Sequence, residues 1–244
     1  MPPGYGRDLA HLHDVGFDLL AKHAAPAIVK QLHAAGFDQG TVMELGCGSG
    51  ITSRYLSDAG FLVIGLDLSE SMITLARRRV PEADFQIGSF VTVEIPTCIA
   101  VTGVGEIFGY QFDSENTQAA RADLFYRIFK ALVPGGQLIF DMAASDRAPI
   151  PSPAKTYFEG DDWICLVESD VNEEKRRLTR NIISLRREGD FYRRSHEVHQ
   201  LELIEPDDIV RSLERIGFAV SVSCVYGQFS LPKGLYAFFA TKPR

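Results

Sequence analysis

The sequence predicts an α/β fold: a mostly parallel, doubly wound sheet with a smaller antiparallel sheet inserted late in the chain. Three observations carry this. Short apolar runs alternate with amphipathic stretches as far as residue 141, which is the pattern of repeated β-α units. One run ends in the glycine-rich turn Gly46-Cys47-Gly48-Ser49-Gly50, directly ahead of a helical pattern. After Met142 the texture changes to strands separated by polar turns.

The elements follow in order. Residues 8–35 place Leu9, Leu12, Phe17, Leu20, Ile28 and Leu32 at helical spacing, and Pro26, which lacks an N–H and crowds the preceding turn, predicts two helices or one kinked helix. Strands are predicted at 42–45, 61–66, 84–87 and 99–104, with helices from the glycine turn to about residue 59 and over 70–79. An amphipathic helix spans 119–132, and Val133-Pro134-Gly135-Gly136 turns the chain into a strand at 137–141. Pro149, Pro151 and Pro153 mark a break. Residues 155–203 then read as an antiparallel meander turning at Asp161-Asp162, at Asn172-Glu173-Glu174-Lys175 and at Glu188-Gly189-Asp190. A helix over 207–216 follows Pro206 and stops at Gly217, ahead of strands at about 218–226 and 235–241. The expected division is a helical cap (1–40), a cofactor-binding core (41–148), an insert acting as lid or dimer surface (149–203), and a C-terminal segment completing the core (204–244).

Composition narrows the partners. Of 244 residues, 45% are hydrophobic and 23% charged, enough apolar side chain for a sizeable core and unlike a disordered chain. The 25 Lys and Arg against 32 Asp and Glu leave a net charge of −7, and no basic run could track a phosphate backbone, so nucleic acid is not an expected partner. No stretch is apolar for long enough to suggest a membrane span, and Met1-Pro2-Pro3-Gly4 opens no signal-peptide layout, so a cytoplasmic location is expected. Cys47, Cys98, Cys165 and Cys224 form no CxxC pair, and neither a metal site nor a disulfide framework is expected.

The spacing of the glycine turn is Gly-x-Gly-x-Gly. A dinucleotide fingerprint requires Gly-x-Gly-x-x-Gly, and residue 51 is Ile, which counts against the alternative of an NAD(P)-dependent oxidoreductase. Asp67 closes the second strand about 20 residues beyond the turn, where a carboxylate can accept both hydroxyls of a ribose.

These segments resemble the class I S-adenosylmethionine-dependent methyltransferases. Residues 44–50 resemble the family's first motif and residues 64–72 its second. Phe85-Gln86-Ile87-Gly88-Ser89-Phe90 resembles its adenine-contacting turn, residues 101–106 its fourth-strand motif, and residues 131–136 the turn before strand five. The resemblance implies a Rossmann-like seven-stranded sheet with strand seven antiparallel, and S-adenosylmethionine as cofactor. It implies that Gly46, Cys47, Gly48 and Gly50 lie by the cofactor's carboxylate, Asp67 by its ribose, Leu68 with Ser89 and Phe90 by its adenine, and Val104 and Gly105 by its methyl. Glu44 would meet the ammonium or else hold the glycine loop. Ser89 departs from the pattern, because the family often has an acid there to accept the adenine amino group.

For the acceptor, candidates come from segments at the cleft. Glu106, Tyr110 and Gln111 follow the fourth strand, at the sheet edge where open α/β folds place ligands. On the strand after Gly189, alternation puts Tyr192, Arg194 and His196 on one face and Arg193, Ser195, Glu197 and His199 on the other. His196, Glu106 and Tyr110 are the candidate catalytic residues; His11, Gln111, Tyr192, Arg194 and Tyr226 are the candidate substrate contacts. A solvated outer face with a satisfied histidine is the competing reading of that strand. Residues 102–106 lack the Asp/Asn-Pro-Pro-aromatic motif of enzymes acting on amines of nucleic-acid bases, and Pro96 and Cys98 are split by Thr97. The expected activity is therefore N- or O-methylation of a small-molecule acceptor, with a homodimer as a further expectation. A binding or regulatory protein that keeps the cofactor pocket is the alternative from another class.

Overall fold

In the computed structural model, which describes residues 4–147 and 152–244, two helices precede the first strand: α1 (Arg7–Gly16) and α2 (Leu19–Ala34). The break falls at Phe17 and Asp18, not at Pro26, which sits on the exposed side of α2 inside a continuous helix. Solvent can satisfy the carbonyl that the proline leaves without a donor there. Gly16 has a second reason to end α1: a Cβ on it would lie 2.4 Å from the ring of Trp163.

The core then runs β1 (Thr41–Leu45), α3 (Ile51–Asp58), β2 (Leu62–Asp67), α4 (Glu70–Arg79), β3 (Asp84–Ile87), β4 (Cys98–Gly103), α5 (Gln118–Ala131) and β5 (Leu132–Ala143). The segment expected to turn before strand five is absorbed into β5. Its pairing with β4 jumps from Cys98–Leu132 to Ala100–Gln137, so the Pro-Gly-Gly segment is an irregularity within a strand rather than a loop ahead of one.

The insert is a four-stranded antiparallel meander of β6 (Ala154–Glu159), β7 (Trp163–Asn172), β8 (Arg177–Glu188) and β9 (Phe191–Glu202). Pro149 and Pro151 lie outside the described residues. Helix α6 (Pro206–Ile216) follows, capped by Gly217 in the left-handed region at φ 115°. It leads to β10 (Ala219–Ser223), the short hairpin β11 (Val225–Tyr226) and β12 (Phe229–Ser230), and β13 (Leu235–Thr241).

The main sheet has seven strands in the order β10-β13-β5-β4-β1-β2-β3. Strands β1 to β5 are mutually parallel, and β13 runs antiparallel to both β5 and β10. Apolar clusters cover both faces. One joins Phe108, Phe125, Phe140 and Phe238 to α5 and α6, and the other joins Ile28, Leu32, Val42 and Ile139 to α2 and α3. Strand order reverses between β1 and β4, which opens a crevice at their C-terminal ends where this architecture binds ligands. The insert reaches that crevice from above. Trp163, Cys165 and Ile182 pack on Leu9 and Leu12 of α1, and Tyr110 bridges to Leu201 of β9.

Candidate active site

The crevice holds a groove built by two backbone devices. After β1 the chain passes through Gly46 (φ 61°), Gly48 (φ 53°) and Gly50 (φ 77°), a left-handed region that side chains avoid. A Cβ on Gly46 would strike Ile107 at 2.6 Å, whereas one on Gly48 would meet nothing within 4 Å and would project into open space. Asp67, at the end of β2, ties the loop down: its carboxylate accepts the N–H of Gly48 (2.9 Å) and of Ser69 (2.8 Å). Burial pushes this carboxyl up, against those hydrogen bonds.

Of the residues expected at the cofactor, Gly46, Gly48, Asp67, Leu68, Phe90, Val104 and Gly105 line the groove. Gly105 has φ 99° and, like Gly48, open space where a Cβ would stand. This cradle of glycines with a strand-end carboxylate fits an adenosyl cofactor with an amino-acid tail. Four expected residues stand behind it. Glu44 is 2% exposed, accepts a short hydrogen bond from Ser53, and is pushed up to about 7 by burial. Cys47 packs with Ile73, Ala76 and Phe85, its thiol pushed far up by burial. Gly50 abuts Ala76, and the Ser89 hydroxyl turns to Asp113 in a short hydrogen bond. Asp113 itself lines the groove. The acid missing at position 89 thus has a counterpart 24 residues further on, which sequence reading did not find.

Beside the groove lies a cavity of about 690 Å³ between α1, the insert and the end of the hairpin β11-β12. Phe17, Phe158 and Phe229 wall one side. Glu106, Arg147 and Arg180 form a charged cluster on the wall. Glu106 accepts Arg147 Nε at 3.1 Å and Arg180 Nη1 at 2.9 Å. Burial would raise this carboxyl, yet the two guanidiniums outweigh burial and hold it below the usual carboxylate range. Its backbone is left-handed at φ 63°, unusual for a residue with a side chain. Asp141 enforces that conformation by accepting Glu106 N (2.7 Å), Gly105 N (3.0 Å) and the Tyr226 hydroxyl (3.1 Å). Tyr110 joins the cluster, its hydroxyl 3.1 Å from that of Tyr5 and 3.4 Å from Arg180 Nη1.

Several expected substrate residues lie elsewhere. His196, Tyr192 and Arg194 occupy the outward face of β9, in solvent, because the insert buries only one side of its sheet. The opposite face turns inward, where His199 is 1% exposed and bonds Glu197 at 3.0 Å. His11 points away from the cavity toward Asp162 (3.5 Å), while His13, two residues on, lines both groove and cavity. Gln111 lines neither; its amide donates to Gly109 O at 3.3 Å. Tyr226 is a core side chain anchoring Asp141 rather than a cavity wall. Sequence reading also missed Tyr5, Arg147 and Arg180. For Arg180 a signal existed: Leu178, Arg180, Ile182 and Ser184 share one face of β8, and an arginine set between apolar residues in such a stripe marks a charge turned inward. Among the described residues no group of His, Cys, Asp and Glu could hold a metal ion, and no helix is long and apolar enough to cross a membrane.

Comparison with known proteins points the same way. Residues 42–136 match the family described as "Methyltransferase domain". A Bacillus subtilis protein named "Putative methyltransferase YqeM" is 26% identical over 207 residues, covering 83% of each chain. An 18S rRNA (guanine-N(7))-methyltransferase of Bos taurus is 26% identical over 107 residues, 41% of this chain and 38% of its own length. Among solved structures, an S-adenosylmethionine-dependent methyltransferase from Clostridium acetobutylicum superimposes with TM-score 0.81 at 16% identity, over 96% of this chain and 98% of its own. CalS10 from Micromonospora echinaspora, an amino pentose methyltransferase with S-adenosylmethionine bound, does so with TM-score 0.74 at 18% identity, over 98% of each.

Proposed function

From a chain whose residues 42–136 are a class I methyltransferase domain with S-adenosylmethionine as cofactor, we propose an enzyme that methylates a nitrogen or oxygen of a small-molecule acceptor held under the insert. Continuity carries this reading. Tyr5, His13, Gly105 and Tyr110 line both the groove and the cavity, so donor and acceptor share one junction. The cofactor supplies a methyl group on a positively charged sulfur. Gly46 and Gly48 would hold its amino-acid end and Asp67 its ribose, with Leu68 and Phe90 flanking the adenine and Asp113 accepting from the adenine amine in place of an acid at Ser89.

The chain's remaining work is positioning and exclusion of water. The insert and α1 roof the cavity, and in this reading the insert is a lid. His13 takes the role expected of His196. Burial pulls its imidazole down to about 4, so it is neutral at pH 7, and its Nδ1 is buried with no protein partner among the described residues. A neutral ring at the junction can orient an acceptor N–H or O–H by hydrogen bonding, but with its imidazole held near 4 it is, like Glu106, a weak base, so its part is positioning. Glu106, pinned between guanidiniums, is a weak base and acts by orienting them.

The experiment is transfer of labelled methyl from S-adenosylmethionine into separate small-metabolite, RNA and protein fractions. Label in the metabolite fraction is the expected outcome. Label confined to RNA would replace this reading with an rRNA-type activity, and bound cofactor with no label anywhere would favour the regulatory alternative. His13→Gln is expected to slow transfer by about tenfold or more, beyond any weakening of cofactor binding.

A further inference from the structure

The cavity walls carry an unbalanced charge. Among the described residues, Glu106 is the only acidic residue lining it, and it faces the two guanidiniums of Arg147 and Arg180. The Asp141 carboxyl behind it is turned to Glu106 N and Gly105 N and pushed up to about 7 by burial, so the cavity face of the cluster has more cationic than anionic groups. The side chains of Glu106 and Arg180 are 9% and 17% exposed, and that of Arg147, nearer the rim, is 28% exposed. Among the described residues, Arg180 engages the protein only through Nη1 and Arg147 only through Nε. Their other guanidinium N–H groups have no acceptor among the described residues and are not enclosed by protein, so they are open to a ligand. His13, neutral, adds no compensation. The cluster lies where the cavity meets the cofactor groove, since Tyr110, 3.4 Å from Arg180, lines both. Away from this pole the walls are mostly apolar, with Phe17, Phe158 and Phe229 alongside Thr156 and Ser169.

We propose that the acceptor is an amphipathic organic anion whose oxyacid group, a carboxylate or a phosphate, docks on Arg180 and Arg147, with its apolar body against Phe17, Phe158 and Phe229. A guanidinium presents paired donors that match such a group, and Glu106 keeps both forks aimed while cancelling one of the two charges. A simple cationic amine would meet like charge at this pole and is disfavoured. The proposal rests on the small-molecule reading above and adds the acceptor's charge.

Two dyes of one shape test it: 8-anilinonaphthalene-1-sulfonate, which carries an oxyacid, and N-phenyl-1-naphthylamine, which does not. Fluorescence titrations on the full chain are expected to show saturable binding of both, with the anion favoured by about tenfold or more. Arg180→Gln and, as a second and more exposed change, Arg147→Gln should each shrink that preference while leaving the uncharged dye's affinity in place, which also reports an intact fold. Displacement by phenylacetate and by phenyl phosphate, with phenylacetamide as the neutral control, separates a carboxylate reader from a phosphate reader. Equal affinity for the two dyes, a preference untouched by both substitutions, or no saturable binding of either would overturn the proposal. Titrating S-adenosylmethionine into the same samples keeps the two readings apart, because cofactor binding with no anion preference overturns this inference alone.

Discussion

Asp67 and Gly48 hold the loop and line the groove at once, so each serves the fold and, in the proposed function, the cofactor. The Asp67 carboxylate fixes the loop through Gly48 N–H, and Gly48 keeps the space in front of it clear. Gly48→Ala should cost about 1 kcal/mol of stability for left-handed backbone. Its Cβ would occupy the groove, and cofactor affinity should fall by about tenfold or more, a larger effect than one methyl costs in a tolerant pocket. Gly65→Ala is the contrasting control. Its Cβ would lie 2.5 Å from the Phe85 ring, so stability should drop by about 1 to 3 kcal/mol. Calorimetry and denaturant melts separate the two. Glu44 offers a pH test. Its carboxyl is held up to about 7 in the fold against an ordinary 4.5, so its contribution is full below pH 4.5 and is lost as pH rises to about 7. Between pH 5 and 7.5 the wild type should lose up to about 3 kcal/mol relative to Glu44→Gln, which keeps a neutral partner for Ser53; parallel pH profiles in urea melts would contradict this. The position of the glycine turn and of Asp67 at a strand end was legible in the sequence, whereas the turning of Cys47 and Gly50 away from the groove was not. Asp113 and Arg147 were not legible either, because their roles depend on neighbours 24 and 41 residues away.

At the scale of elements, periodicity named nearly every helix and strand but left two things open: where a break falls and which face turns inward. Pro26 is the clearest break in the early sequence, yet the helix runs through it because its exposed side tolerates a missing donor. Pro26→Ala should therefore stabilise the protein by about 1 to 2 kcal/mol, since the roughly 3 kcal/mol proline penalty in a helix interior is partly offset by a stiffer unfolded chain. A higher midpoint in thermal melts checks it. The break that does occur is set by packing, with the Trp163 ring against Gly16 and Gly160, each of whose added Cβ would lie 2.4 Å from it. That contact is long-range and leaves no local signature. Strand phase is the other gap. Alternation divided β9 correctly into two faces, but only the docking of the Tyr5, Tyr110 and Phe112 rings decides that His199 and not His196 is covered.

Across the whole molecule, the main sheet and its switch point followed from the order of motifs, and the order β10-β13-β5-β4-β1-β2-β3 realises it. The insert could be read as a meander, yet its placement over the crevice could not, since that depends on contacts between β7, β8 and α1 far apart in sequence. Placement matters because it turns one groove into two connected chambers, one lined by the glycine loop and one closed by Arg180, Tyr110 and His13. Both chambers depend on S-adenosylmethionine occupying the first, and calorimetric titration decides whether it does. S-adenosylmethionine and its demethylated product should each bind saturably to the wild type and about tenfold or more weakly to Asp67→Ala, with no binding of NAD(H). Binding of NAD(H) in place of either adenosyl compound, or adenosyl binding indifferent to Asp67, would contradict the account.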